Sequence, residues 1–169
     1  MARPLLPLAL LAGCSRSNPM AVSRLAGLSP TEIDPATVSV GVALPPGVGI
    51  LAGSARLFLG AERAGTGETE GTTARLVARD DGRWAVAPED AAALRETRAV
   101  IRRWKAEAPG TVGTPSVAVG GCVEGSAPGI DPRISVDLVL SPGQAPLALV
   151  EAAPLSAAIG NAALPACDD

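Results

Sequence analysis

The side chains best suited to chemistry in this 169-residue chain are three cysteines, Cys14, Cys122 and Cys167. A thiol can carry a lipid, form a disulfide or bind a metal ion, and its surroundings decide which of these it does. The chain contains no histidine. A Ser-His-Asp triad, a Cys-His dyad and a histidine metal site built from this chain alone are therefore excluded.

The first cysteine follows a short apolar run at the start of the chain. Arg3 is the only charged residue among the first thirteen, and the apolar residues 4–11 are far fewer than the roughly 20 that span a bilayer. One basic residue, a brief apolar run and then small residues are typical of an export signal that is later removed. The sequence Leu-Ala-Gly-Cys at positions 11–14 resembles the lipobox of bacterial lipoproteins.

This resemblance implies that residues 1–13 are a signal peptide, that the Cys14 thiol receives a diacylglyceryl group, and that the new amino terminus is acylated. Two or more acyl chains hold a protein stably on a bilayer, whereas one binds only marginally. In this class an Asp after the lipidated cysteine favours the inner membrane. Here that residue is Ser15, so in a Gram-negative cell we expect the periplasmic face of the outer membrane. The alternatives are an ordinary secretory signal and a natural N-terminus with a chance cysteine.

The other two cysteines form an even pair if Cys14 carries lipid, and an exported chain permits a disulfide. A bond between Cys122 and Cys167 would close a loop of about 46 residues, worth about 4 kcal/mol in the chain-entropy model. It would also hold the C-terminal tail on the domain. Two free buried thiols are the alternative. Two separated thiolates lack the ligands for a metal site, so we expect no metal ion and no cofactor.

Composition predicts one globular domain over residues 34–169, preceded by a lipidated N-terminus and flexible tether over residues 14–33. Hydrophobic residues make up 47% of the chain and charged residues 18%, so a core can form. Loss of Arg3 with the signal would leave 13 of the 14 basic residues against 17 acidic ones. Such a mildly acidic chain is not expected to bind nucleic acid.

Alternating runs predict short strands near residues 38–42, 55–59, 73–79, 83–87, 116–123 and 134–140, and residues 147–150 are a further candidate. Between them we expect a polar, glycine-rich loop over residues 60–72, a hairpin turn at Asp80-Asp81-Gly82 and one helical turn over residues 155–159. The Gly-x-Gly-x-x-x-Gly patterns at residues 47–53 and 65–71 are only loosely similar to a dinucleotide fingerprint. We interpret the first as a turn and the second as a loop.

One amphipathic helix is predicted over residues 88–107. Proline and two acidic residues suit its first turn, and an apolar stripe follows at Leu94, Thr97, Ile101 and Trp104. The fold class is therefore α+β: an antiparallel sheet of about five to six short strands with the helix packed on it. The alternative is an all-β sandwich with the helix appended.

Four basic residues of this helix, Arg95, Arg98, Arg102 and Lys105, recur at helical spacing. Such a row suits contact with anionic lipid headgroups, lipopolysaccharide or an acidic protein. The ordinary explanation is a solvated helix face. The paired carboxylates Asp80-Asp81 and Glu89-Asp90 are explained by turn and helix-start positions, and Trp84 and Trp104 by core packing.

These features predict a membrane-anchored envelope lipoprotein with a non-catalytic domain that acts as a structural, accessory or interaction module. Its partners would be the membrane, through the N-terminal lipid, and an envelope protein. One alternative is a lipid-anchored binding protein for a small apolar or lipidic ligand, which an apolar cavity under the helix would favour. Another is a carboxylate-dependent hydrolase, which two carboxyl groups facing each other across a cleft would favour.

Overall fold

The structure is a computed structural model that describes residues 34–35, 37–125, 132–159 and 164–167. The predicted signal peptide, Cys14 and the predicted tether lie outside the described residues. The strands are β1 (Ser39–Ala43), β2 (Val48–Ile50), β3 (Arg56–Glu62), β4 (Thr69–Ala78), β5 (Trp84–Val86), β6 (Val112–Ala118), β7 (Gly121–Val123), β8 (Arg133–Val139) and β9 (Leu147–Pro154). The helices are α1 (Ala91–Glu107), after a 3-10 turn at Pro88–Asp90, and the short α2 (Leu155–Ile159).

Seven of the described strands form one curled sheet in the order β6-β3-β4-β5-β1-β8-β9, and every neighbouring pair is antiparallel. The strands β2 and β7 pair separately as a small second sheet. The arrangement of an antiparallel sheet with one long helix is confirmed, and it fits either α+β or a β-rich domain with an appended helix. The predicted number of strands was too low.

The count rises because β2 was predicted as a turn and because β6 and β7 were predicted as one run over residues 116–123. The hairpin between β3 and β4 also differs, since residues 60–72 were predicted as a long loop. The strands extend to Glu62 and from Thr69, so the connection is only residues 63–68. Gly60 and Gly71 lie opposite each other, and a Cβ on Gly60 would be 2.5 Å from Cζ of Phe58. The Phe58 ring therefore covers two strand glycines and supplies the packing that their missing side chains cannot. The glycines alone indicate a loop and do not reveal this contact.

Helix α1 packs on β3 and β4 through the predicted stripe, and the prediction of this helix is confirmed. Leu94, Thr97, Ile101 and Trp104 are all buried. The Thr97 hydroxyl is in hydrogen-bond contact with the Thr72 hydroxyl on β4, which satisfies a polar group inside an otherwise apolar interface. The predicted hairpin turn is also confirmed, with Gly82 at φ 75°.

The Cys122–Cys167 disulfide is present, with 4.8 Å between the two Cα atoms. The backbone N–H of Val123 donates to the Pro165 carbonyl, and the N–H of Cys167 donates to the Val123 carbonyl. The disulfide and these two hydrogen bonds hold the tail segment 164–167 against β7, as the cysteine count predicted.

The first glycine pattern, residues 47–53, contains the short strand β2 rather than a turn alone, and no helix follows it. Gly49 on β2 lies opposite Cys122 on β7. A Cβ on Gly49 would be 3.0 Å from Sγ of Cys167. The glycine therefore leaves room for the disulfide. In the second pattern, Gly65 and Gly67 lie in the loop with positive φ, whereas Gly71 belongs to β4.

Candidate functional site

An apolar groove of about 90 Å³ lies where the two ends of the curled sheet approach each other. We call it the sheet-end groove. One wall is formed by residues 57–59 of β3 and 115–117 of β6, and the other by Leu138, Leu140 and Leu149 of β8, β9 and the turn between them, completed by Pro35 and Val38. This volume is enough for several water molecules or a short length of hydrocarbon.

The alternation of side chains along the strands explains why the groove is apolar. Leu57 and Leu59 point to the face of β3 that also packs under α1, and their partners across β6 are Val117 and Pro115. Of the lining residues that the structure describes, ten are apolar and one, Ser116, carries a hydroxyl. Water in such a groove finds few hydrogen-bond partners, so an apolar group would displace it favourably.

The two strands that border the groove, β6 and β9, are the edge strands of the sheet within the described ranges. Pro115 in the middle of β6 lacks an N–H group, as is common on edge strands. Val112, at the start of β6, is 65% exposed. Because β6 and β9 are both edge strands, the groove opens between two strand edges. An extended segment of another molecule can pair with such an edge.

The described chain begins at the groove. Pro35 lines it, and the Thr37 hydroxyl lies 2.9 Å from the Asp34 carbonyl oxygen and 3.1 Å from the Leu140 carbonyl oxygen. These contacts fix the first described residues against the end of β8. Whatever precedes residue 34 therefore joins the domain beside the sheet-end groove.

The four basic residues predicted as a contact surface lie together along one flank of α1, and we call them the basic row (Arg95, Arg98, Arg102 and Lys105). Arg95 and Arg102 are exposed, and Arg98 and Lys105 are half-buried. Nε of Arg95 lies 4.0 Å from Oδ1 of Asp34. The row therefore begins next to the point where the chain enters the domain.

The carboxylate pairs occupy structural positions. Arg75 on β4 donates from Nη2 to Glu89 at 2.8 Å and from Nε to Asp90 at 3.0 Å, while its backbone N–H donates to Asp90 at 2.8 Å. The side-chain hydrogen bond from Arg75 is the main cause that lowers the pKa of Asp90 below its ordinary value, and the same hydrogen bond raises the pKa of Arg75. Asp81 accepts from the backbone N–H of Arg83. Neither pair lines the sheet-end groove.

The groove is not the cavity under α1 that the ligand-binding hypothesis expected, because no described residue of α1 lines it. Leu94, Ile101 and Trp104 are buried in that space and belong to the core, and Trp84 packs against the same core. The period-2 pattern of the sequence predicts Leu57, Leu59 and Leu138 in strands, but no sequence signal predicts the groove. It depends on how the two ends of the sheet approach each other.

No family model, curated protein or solved structure matches this chain. Within the described residues, no cluster of three or more His, Cys, Asp or Glu side chains could hold a metal ion. In the same part of the chain, no helix is both long enough and apolar enough to cross a bilayer.

Proposed function

We propose that this chain is an exported, lipid-anchored binding protein of the bacterial envelope, and that its non-catalytic domain holds an apolar group, such as an acyl chain, in the sheet-end groove. The observation that carries this proposal is the groove itself, which is open at the sheet ends and lined almost entirely by aliphatic side chains. A concave apolar surface of this kind favours an apolar ligand over water.

The cysteines support a location outside the cytoplasm, in an oxidising compartment. The Cys122–Cys167 disulfide is the kind of bond that persists in oxidising surroundings such as the periplasm. The resemblance of positions 11–14 to a lipobox points to the same side of the membrane and assigns the third cysteine, Cys14, to lipidation. Ser15 after it favours the outer membrane in a Gram-negative cell. The disulfide and the lipobox-like sequence support export independently, because one is a bond in the folded domain and the other is a processing signal.

The lining also predicts how affinity depends on the ligand. Each methylene moved from water into an apolar site contributes about 0.8 kcal/mol, so affinity should rise about fourfold for each added CH₂ until the groove is full. Longer chains should then bind no more tightly. Straight-chain alcohols of increasing length, competing with a fluorescent fatty-acid analogue, measure this dependence directly.

A pair of variants on one strand tests the site. Val117 lines the groove, whereas Val112 begins the same strand on the other face and is 65% exposed. Val117→Gln places an unpaired amide in the groove and should weaken probe binding about tenfold or more. Val112→Gln makes the same chemical change away from the groove and should leave binding unchanged. Equal affinities of both variants and the parent would reject the groove as the binding site.

A second candidate function is a structural or accessory module that binds an envelope protein. The observation in its favour is the pair of sheet edges, β6 and β9, that border the groove. A partner strand placed there would add main-chain hydrogen bonds and cover the apolar lining. A photo-crosslinker at Ser116 that captures one defined protein, while the same group at the exposed Val77 does not, would favour this function. It would then replace the apolar ligand as the groove's occupant.

A further inference from the structure

The basic row is a compact strip of positive charge on a domain that is acidic overall. From Arg95 to Lys105 it extends about 15 Å along the axis of α1, at 1.5 Å per residue. The whole chain carries 17 acidic and 14 basic residues. A cationic strip on this background therefore reflects the placement of residues on the helix and not the net charge.

Acidic residues of α1 lie on the opposite flank. At about 100° per residue, Glu96 and Glu107 are roughly 140° or more from the centre of the row. Glu107 is also bound, since Nη2 of Arg63 donates to it at 2.7 Å. On the side of the row, the ion pair between Arg95 and Asp34 has an N–O separation of 4.0 Å. The second half of the row, Arg102 and Lys105, therefore presents its charge away from the acidic flank of the helix.

The row lies next to the point where the N-terminal segment joins the domain, which favours the membrane as its partner. Asp34, beside Arg95, is where residues 15–33 join the domain. For the flexible tether predicted from the sequence, these 19 residues have an expected end-to-end distance of roughly 22–26 Å. A domain anchored through Cys14 therefore stays within about that distance of the headgroups, and their effective concentration at the row is high.

We propose that the basic row of α1 is a docking surface for anionic phospholipid headgroups. It orients the domain so that the helix flank, together with the adjacent groove rim at Pro35, faces the membrane. The choice of headgroups as the partner and the orientation relative to the anchor rest on the proposed function, whereas the headgroup contact can be measured without a lipid at Cys14. Binding is electrostatic, so it requires anionic lipid and weakens as salt is raised.

The expected size of the effect follows from the number of charges. A basic side chain close to an anionic membrane contributes about 1 kcal/mol, or about fivefold in partitioning. Loss of Arg102 and Lys105 should therefore weaken vesicle binding about 25-fold at low salt. Glutamine replaces either residue with nearly equal helix propensity, so the helix should remain folded.

Vesicle sedimentation tests the surface with the complete chain carrying Cys14→Ser, which removes the acylated thiol. The double variant Arg102→Gln and Lys105→Gln is compared with the control Arg79→Gln and Arg103→Gln, which changes the net charge equally. Arg79 lies in the connection between β4 and β5, and Arg103 lies on α1 outside the row. Each is mixed with vesicles of phosphatidylcholine, with or without phosphatidylglycerol. Because all variants carry the same N-terminal segment, its own affinity for lipid cancels in the comparison.

We expect the parent and the control to bind the phosphatidylglycerol vesicles more tightly than the neutral ones, and the row variant to lose most of that preference. Equal loss in the two double variants would overturn the proposal, because it would show a general charge effect. No preference of the parent for phosphatidylglycerol would also overturn it. Neither result would bear on the groove, whose ligand assay contains no vesicles.

Discussion

Gly49 lies directly against the disulfide, because it is opposite Cys122 in the β2–β7 pair and a Cβ on it would be only 3.0 Å from Sγ of Cys167. The carboxylate of Glu124 approaches the same position to 2.5 Å. A glycine pattern that is loosely similar to a dinucleotide fingerprint therefore has a structural explanation here. It admits a covalent link between the small sheet and the C-terminal tail.

Gly49→Ala should destabilise the domain because the added methyl group crowds the disulfide and the Glu124 side chain. Overpacking of this kind costs about 1–3 kcal/mol, less where the neighbours can move. Urea denaturation measures the loss. The same substitution in a Cys122→Ala, Cys167→Ala background should cost less, because one of the crowding atoms is gone. Identical costs in the two backgrounds would contradict the steric explanation.

Reduction of the disulfide should lower the free energy of unfolding by up to about 4 kcal/mol, the chain-entropy value for a loop of this size. The sequence separation of the two cysteines is 45. Denaturation with and without reductant gives the difference, and the Cys122→Ala, Cys167→Ala variant should lose its sensitivity to reductant. Two freely alkylated thiols in the exported protein, with stability independent of reductant, would contradict the pairing.

The Thr72–Thr97 contact should show strong coupling. Thr97 is 3% exposed, and its hydroxyl meets that of Thr72 between α1 and β4. Thr97→Val alone leaves the Thr72 hydroxyl without this partner and should cost about 1–2 kcal/mol. Thr72→Val together with Thr97→Val replaces both hydroxyls by methyl groups and should recover part of that loss. A double variant whose loss of stability equals or exceeds the sum of the two single losses would contradict this account.

Asp90 should make the domain sensitive to acid. Its folded pKa is lowered from the ordinary 3.8, chiefly by the side-chain hydrogen bond from Arg75. Because a carboxyl with a lowered folded pKa contributes stability above its unfolded pKa, that contribution is lost as pH falls through the folded value. Asp90→Asn should therefore be less stable than the parent near pH 6, and the gap should close well below pH 3.8. A gap that is constant with pH would contradict the ion pair.

Local signals were enough to predict α1 and the β4–β5 hairpin. The stripe of Leu94, Ile101 and Trp104 repeats with the period of a helix, and Asp-Gly at a turn depends only on neighbouring residues. The cysteine pair was predicted instead from the number of cysteines in the whole chain. The described structure confirms all three.

Long-range packing decided what local signals missed. Gly60 and Gly71 indicate a loop until Phe58 is placed over both of them. The sheet-end groove brings Val117 on β6 near Leu149 on β9, yet the two strands are at opposite ends of the strand order. Their meeting depends on the curl of the whole sheet, which the sequence of either strand does not encode by itself.

The central claim is that the chain is anchored outside the cytoplasm through a lipid on Cys14, and the most direct measurement is the intact mass of native protein purified from membranes. We predict a polypeptide that begins at Cys14 and carries a diacylglyceryl group and a further acyl chain on its amino terminus. The Cys14→Ser protein should lack these chains and leave the membrane fraction in a high-salt wash. Native protein that retains Met1 and carries no acyl chain would contradict the account.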